Sequence, residues 1–129
     1  MAKPNVLFVD DEPVNLMLYE AYYKDNYNVF TAADGDSGLN ILSQHKDIHL
    51  IFCDMKMPNM DGIEFIERAK HLAPHGHYYI MTGFEVTGEI QEAIDRETVI
   101  RYFKKPLNYK AISDEIETVV SKLYRQTGN

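Results

Sequence analysis

Short apolar runs, separated by longer stretches with helical spacing, set the frame of this chain. The runs are Val6–Val9, Val29–Ala33, Leu50–Cys53, Tyr78–Met81 and Val99–Phe103. Most are apolar without alternation, the pattern of strands covered by helices on both faces of a parallel sheet. Between them, stretches beginning near Pro13, Asp36, Asp61, Thr87 and Asn108 carry apolar residues three or four apart, so each predicts a helix with one buried stripe. The last is the clearest: Tyr109, Ile112, Ile116, Val119, Val120 and Leu123 fall on one side, while Lys110, Asp114, Glu115, Glu117 and Lys122 fall elsewhere. Asp61, just ahead of Gly62 and Ile63, is placed to cap the third helix by accepting a backbone N–H of its first turn.

Strand and helix repeated five times, with right-handed crossovers, predict an α/β fold: a doubly wound five-stranded parallel sheet with helices on both faces. No internal repeat or low-complexity linker interrupts the pattern, so residues 1–129 are expected to form one domain. A length of 129 residues with 45% hydrophobic content suits a single core.

Thirteen basic against twenty acidic residues give a net charge of -7, which repels nucleic-acid backbones and anionic lipid heads. No apolar stretch nears the roughly 20 residues of a membrane-spanning helix. Met1 to Asn5 lack the apolar run of a secretion signal, and the single Cys53 cannot form an internal disulfide. A cytoplasmic protein that binds neither nucleic acid nor membrane is therefore expected.

The chemistry gathers at strand ends. Asp10, Asp11 and Glu12 directly follow the first predicted strand, and Asp54 directly follows the third. If the strand order is 2-1-3-4-5, these two strands are neighbours, and the carboxylates converge at the topological switch point between them. Clustered carboxylates repel one another, a conflict relieved by protonation or by an oxygen-loving divalent cation such as Mg²⁺. With the charge neutralised, a carboxylate can attack a phosphoryl group and become an acyl phosphate, and Asp54 is the nucleophile by position. Taken alone, Asp-Asp-Glu-Pro also fits a solvated turn at a helix start.

Four segments in order, Val9-Asp10-Asp11-Glu12-Pro13, Asp54 to Gly62, Met81-Thr82-Gly83 and Lys104-Lys105-Pro106, resemble the receiver domains of two-component response regulators. The likeness covers essentially the whole chain. It implies a flavodoxin-like receiver fold and Mg²⁺ bound directly by Asp11, Asp54 and the backbone carbonyl of Lys56, with Asp10 helping through water. Asp54 would be the phosphoacceptor, Thr82 would donate to a phosphoryl oxygen, and Lys105 would pair with Asp54 or the phosphoryl group. Tyr102 matches the aromatic that rotates inward when the threonine moves, reshaping the face of the fourth helix, fifth strand and fifth helix. Pro106 is a candidate for a cis peptide. The implied partners are a sensor histidine kinase or histidine phosphotransfer protein upstream, and an effector protein or output domain downstream. A phosphorylation-dependent homodimer is left open. Catalysis would be confined to self-catalysed phosphoryl transfer and autodephosphorylation.

Lys56 and Phe84, two residues after Asp54 and Thr82, stand where a second cation and a shield against water would tune phosphoryl lifetime. Two other readings compete. A haloacid-dehalogenase-type phosphatase also uses an aspartyl nucleophile, but its Asp-x-Asp-x-Thr motif is absent. A pseudo-receiver would scaffold a partner without phosphorylation, against which the full set Asp10, Asp11, Asp54, Thr82 and Lys105 speaks.

Several motifs read as structure. His71, His75 and His77 are assigned to a surface loop, because Pro74 and Gly76 break any helix that would align them. Tyr19, Tyr22, Tyr23 and Tyr27 are assigned to packing of the first helix on the sheet. Cys53 should face the core, opposite Asp54. Asp34-Gly35-Asp36-Ser37-Gly38 lacks the Lys-Ser/Thr ending of a phosphate loop and reads as a turn and helix start.

Overall fold

A computed structural model describes residues 3–126; Met1 and Ala2 of the N-terminal stretch lie outside the described residues. Strands β1 (Asn5–Val9), β2 (Asn28–Ala32), β3 (Leu50–Asp54), β4 (His77–Thr82) and β5 (Arg101–Lys104) alternate with helices α1 (Pro13–Tyr23), α2 (Gly35–Gln44), α3 (Gly62–Leu72), α4 (Gly88–Asp95) and α5 (Tyr109–Gln126). The sheet is parallel throughout, in the order β2-β1-β3-β4-β5. The expected α/β architecture and strand order are therefore observed.

Period-two alternation splits the core into two layers. Leu7, Val9, Ile51, Cys53 and Ile80 face α2, α3 and α4, packing on Leu42, Phe65 and Ala93. Val6, Phe8, Phe52, Tyr79 and Met81 face α1 and α5, packing on Tyr19, Tyr23, Ile112 and Ile116. Cys53 is fully buried, as expected, and burial pushes its thiol up, away from the reactive thiolate. Neither edge strand is wholly buried, whereas β3 is buried along its length.

Local capping follows the sequence closely. Asp34, Asp61 and Thr87 accept the backbone N–H of Ser37, Glu64 and Ile90, and Asn108 accepts that of Ala111. The start of α1 is different: its cap position, Glu12, makes no side-chain cap bond, and Pro13 occupies the first turn. The backbone N–H of Glu12 instead donates to the Asp10 carboxylate at 3.0 Å.

Strand bounds differ from expectation by at most one residue, except at the start of the fifth. The fifth strand begins at Arg101 rather than Val99, because α4 ends in a Schellman-type turn that takes the next residues. Glu97 adopts a left-handed φ of 63°, its N–H bonds to the Ile94 carbonyl, and the N–H groups of Thr98 and Val99 both reach the Ala93 carbonyl. Val99 is buried against the α4 side of the core, not paired in the ladder. The histidines also depart from a single surface loop: His71 lies in the last turn of α3 and half-buried His77 opens β4, leaving His75 in the turn. Their neighbour His49 contacts the His75 ring and lends its carbonyl to His77.

Gly62 matters for the site. Its N–H donates to the Met55 carbonyl, and a Cβ there would lie 2.7 Å from the Asp54 carbonyl oxygen and 2.8 Å from Ile80. Backbone cannot yield as a side-chain tip can. Gly62→Ala is therefore expected to cost about 2 kcal/mol in urea unfolding, in the range for overpacked sites. Unchanged stability would show that α3 tilts freely.

Candidate functional site

The C-terminal ends of β1, β3, β4 and β5 bring the acidic and basic side chains to one edge of the sheet. Asp10 follows β1 and is completely buried; Asp54 ends β3 and is 8% exposed; Thr82 ends β4 and is buried. One carboxylate oxygen from each of Asp10, Asp11 and Asp54 lies within 4.8 Å of the others. The neighbouring strands β1 and β3 make this convergence unavoidable, since their registers run Val9 against Cys53.

Lys105 enters from the loop after β5, where its N–H bonds to the Thr82 carbonyl at 2.7 Å and the Lys105–Pro106 peptide is cis. Its ammonium lies 2.9 Å from Asp10 Oδ2 and 3.2 Å from Asp54 Oδ2, so it bridges the two most buried acids. The resemblance pairs Lys105 with Asp54 or the phosphoryl group; its shorter contact is to Asp10. Burial opposes the lysine's charge, but the hydrogen bond to Asp10 and the charges of both aspartates outweigh it and hold the ammonium above its usual range.

Burial is also the largest influence on Asp54, lifting its carboxyl from 3.8 to about 6. Lys105 pulls the other way, while Asp10 and Asp11 add repulsion. Near neutral pH, Asp54 thus sits close to its own titration, a carboxylate under electrostatic load.

The donor set is made of hard oxygens, spaced for a small divalent cation and incompletely neutralised by one lysine, which fits Mg²⁺. Asp11 also lines an open cleft of about 480 Å³ with Lys56, Asp61, Thr82 and Phe84, giving the site an approach from solvent. At its mouth the Lys56 ammonium sits 4.3 Å from the centroid of the Phe84 ring, which is 58% exposed. The two positions singled out for tuning are therefore in direct contact.

Thr82 is turned onto its own loop. Its hydroxyl accepts from the Phe84 N–H at 3.1 Å and donates to the Phe84 carbonyl at 3.2 Å. Tyr102 is 37% exposed on β5 and paired in register with Ile80.

Sequence reasoning missed two neighbours of the cluster. The Tyr19 hydroxyl donates to Asp10 Oδ2 at 2.7 Å, and the Asn15 amide donates to the same oxygen at 3.2 Å. Burial, then the Asp10 carboxylate, pushes the Tyr19 phenol well above its usual value. The available signal was spacing: residues 15 and 19 are one helical turn apart and share a face of α1. Tyr23 and Tyr27 are buried as packing residues, with hydroxyls on the Tyr109 carbonyl and Glu117, whereas Tyr22 is exposed.

Known proteins match this chain over most of its length. The family model for the response regulator receiver domain matches residues 6–117. The chain is 32% identical over 118 residues to sporulation initiation phosphotransferase F of Bacillus subtilis, covering 91% of this chain and 94% of that protein. It is 30% identical to the transcriptional regulatory protein ZraR of Salmonella typhimurium, covering 98% of this chain but only 28% of that longer protein. In fold, it superposes with a TM-score of 0.87 on a CheY-like receiver domain protein from Methanospirillum hungatei, at 24% identity over 97% of this chain and 99% of the other.

Proposed function

Since this chain belongs to the response regulator receiver family, we propose that residues 1–129 form one receiver domain, a phosphorylation switch that takes a phosphoryl group onto Asp54. The observation that carries the proposal is the meeting of Asp10, Asp11 and Asp54 with Lys105 beside a solvent-open cleft that contains Thr82. The donor would be a phosphohistidine on a sensor kinase or phosphotransfer protein, and the setting the cytoplasm. Among the described residues, no helix is long and apolar enough to cross a membrane.

An Asp54 carboxylate oxygen attacks the phosphorus in line with the donor nitrogen; the P–N bond breaks and its electron pair returns to the imidazole. Mg²⁺, held by Asp11, Asp54 and the Lys56 carbonyl, would supply positive charge to the phosphoryl oxygens. Lys105, already within 3.2 Å of Asp54, moves its ammonium onto the transferred group and gives up Asp10. Thr82 exchanges its bonds to the Phe84 backbone for one to a phosphoryl oxygen. Tyr102, exposed on β5, then turns toward the space that Thr82 leaves, reshaping the surface formed by α4, β5 and α5 for an effector or output domain.

Incubation with acetyl phosphate and Mg²⁺ is expected to add one phosphoryl group per chain, located at Asp54 by peptide mass spectrometry, without multiple turnover. Steady hydrolysis of phosphate esters would point to a phosphatase, and failure to label would overturn the proposal.

Lys56 and Phe84 form a roof at the mouth of this site. Phe84→Ala removes the ring and frees the ammonium, opening a path for water. Hydrolysis of the Asp54 phosphate is expected to quicken roughly two- to fivefold, matching loss of an exposed cation–π contact of 0.5–1 kcal/mol. The decay of radiolabelled protein measures it; an unchanged half-life would remove Phe84 from the roof.

A further inference from the structure

Asp10 is the one acid of the cluster whose hydrogen-bond capacity is nearly spent. Its Oδ2 receives three donors: the Tyr19 hydroxyl at 2.7 Å, the Lys105 ammonium at 2.9 Å and the Asn15 amide at 3.2 Å. Its Oδ1 receives only the Glu12 N–H, at 3.0 Å. A carboxylate oxygen offers about two lone-pair sites, so Oδ2 is saturated and Oδ1 keeps the free one.

The phenol is built into this arrangement. Tyr19 is 1% exposed, and its ring stacks on Phe8 at 4.7 Å between centroids, so packing fixes where the hydroxyl points. Packing alone asks only for a ring, and a phenylalanine would satisfy it. The hydroxyl adds the shortest bond that Asp10 receives.

We propose that Tyr19 is a positioning residue of the metal site, which ties up Asp10 Oδ2 and limits the pull of Asp10 on the cation to Oδ1. The proposal rests on the receiver reading above and extends it to a residue of α1. Its consequence is a deliberately weakened grip. A hydrogen bond spreads the charge of the carboxylate, so an Asp10 relieved of one donor attracts Mg²⁺ more strongly. A second consequence follows when Lys105 moves to the phosphoryl group: Tyr19 and Asn15 remain on Asp10, so this buried acid does not swing into the space vacated.

Tyr19→Phe keeps the ring and deletes one donor. Isothermal titration of the metal-free protein with MgCl₂ is expected to show binding tighter by roughly fivefold, the equivalent of one hydrogen bond. In an Asp10→Asn background the same substitution should have no effect on Mg²⁺ affinity. Asn15→Ala, at a half-buried position, should also tighten binding and serves should Tyr19→Phe fold poorly. A merely structural tyrosine would lower stability and leave the Mg²⁺ affinity unchanged or weaker, and either result overturns the inference while the receiver reading stands. Absence of Mg²⁺ binding by the unaltered protein would overturn both.

Discussion

Asp54→Asn is expected to be more stable than the unaltered protein at pH 8 in EDTA, by about 2–3 kcal/mol, while losing all phosphoryl uptake. The folded state lifts this carboxyl from 3.8 to about 6, chiefly through burial. A raised pKa means that the neutral form favours folding. Its contribution is fully present below about pH 3.8 and is lost as pH rises through about 6, so above that range ionised Asp54 strains the fold. The side chain is only 11% exposed, which leaves little solvent screening to soften the cost. Asparagine stays neutral and escapes it. Urea unfolding at pH 8 and near pH 4 tests the sign: the advantage should be large at the first and shrink at the second. An equal advantage at both would show that Asp54 carries no ionisation penalty. The site thus holds Asp54, the proposed phosphoacceptor, in an unfavourable state that a metal or an arriving phosphoryl group would relieve.

How much of this was legible beforehand depends on whether the signal was local. The convergence of Asp10, Asp11 and Asp54 could be read because strand ends and a 2-1-3-4-5 order dictate it, and the coordinates agree. The cap at Asp61 is equally local. The start of β5 was misplaced because Val99 and Ile100 are apolar, and the residue ending α4 in a left-handed conformation is Glu97, not the glycine that usually marks such an end. Glutamate there gives no signal in the sequence.

Contacts across the fold were the harder class. Tyr19 was assigned to packing, which holds for its ring; nothing in the sequence fixes the height of its hydroxyl relative to a carboxylate on β1. For Lys105 the resemblance named Asp54 or the phosphoryl group but not Asp10, because its long stem can reach either acid and only the loop after β5 decides. Lys56 and Phe84 were each flagged by position, yet their mutual contact depends on how two loops lean together.

Lys105→Met carries the second large effect. It keeps the aliphatic stem and deletes the ammonium that serves both Asp10, completely buried, and Asp54. Without that cation the cluster holds buried charge with no counterion, and the loss in EDTA is expected to be about 3 kcal/mol. Uptake of a proton by Asp54 limits the loss, so the deficit should grow with pH above about 6. Millimolar Mg²⁺ replaces the missing positive charge and should restore most of the stability, making the variant far more metal-dependent than the unaltered protein. Urea unfolding of both proteins with EDTA and with Mg²⁺ measures the difference. A loss of equal size in both conditions would mean that Lys105 acts through its stem alone. Labelling by acetyl phosphate should survive at a reduced rate, because Asp54 and the proposed metal ligands remain. The response at Tyr102, followed by NMR after labelling, should not, because no ammonium is left to couple the phosphoryl group to the loop that follows β5 and shares its backbone bond with Thr82.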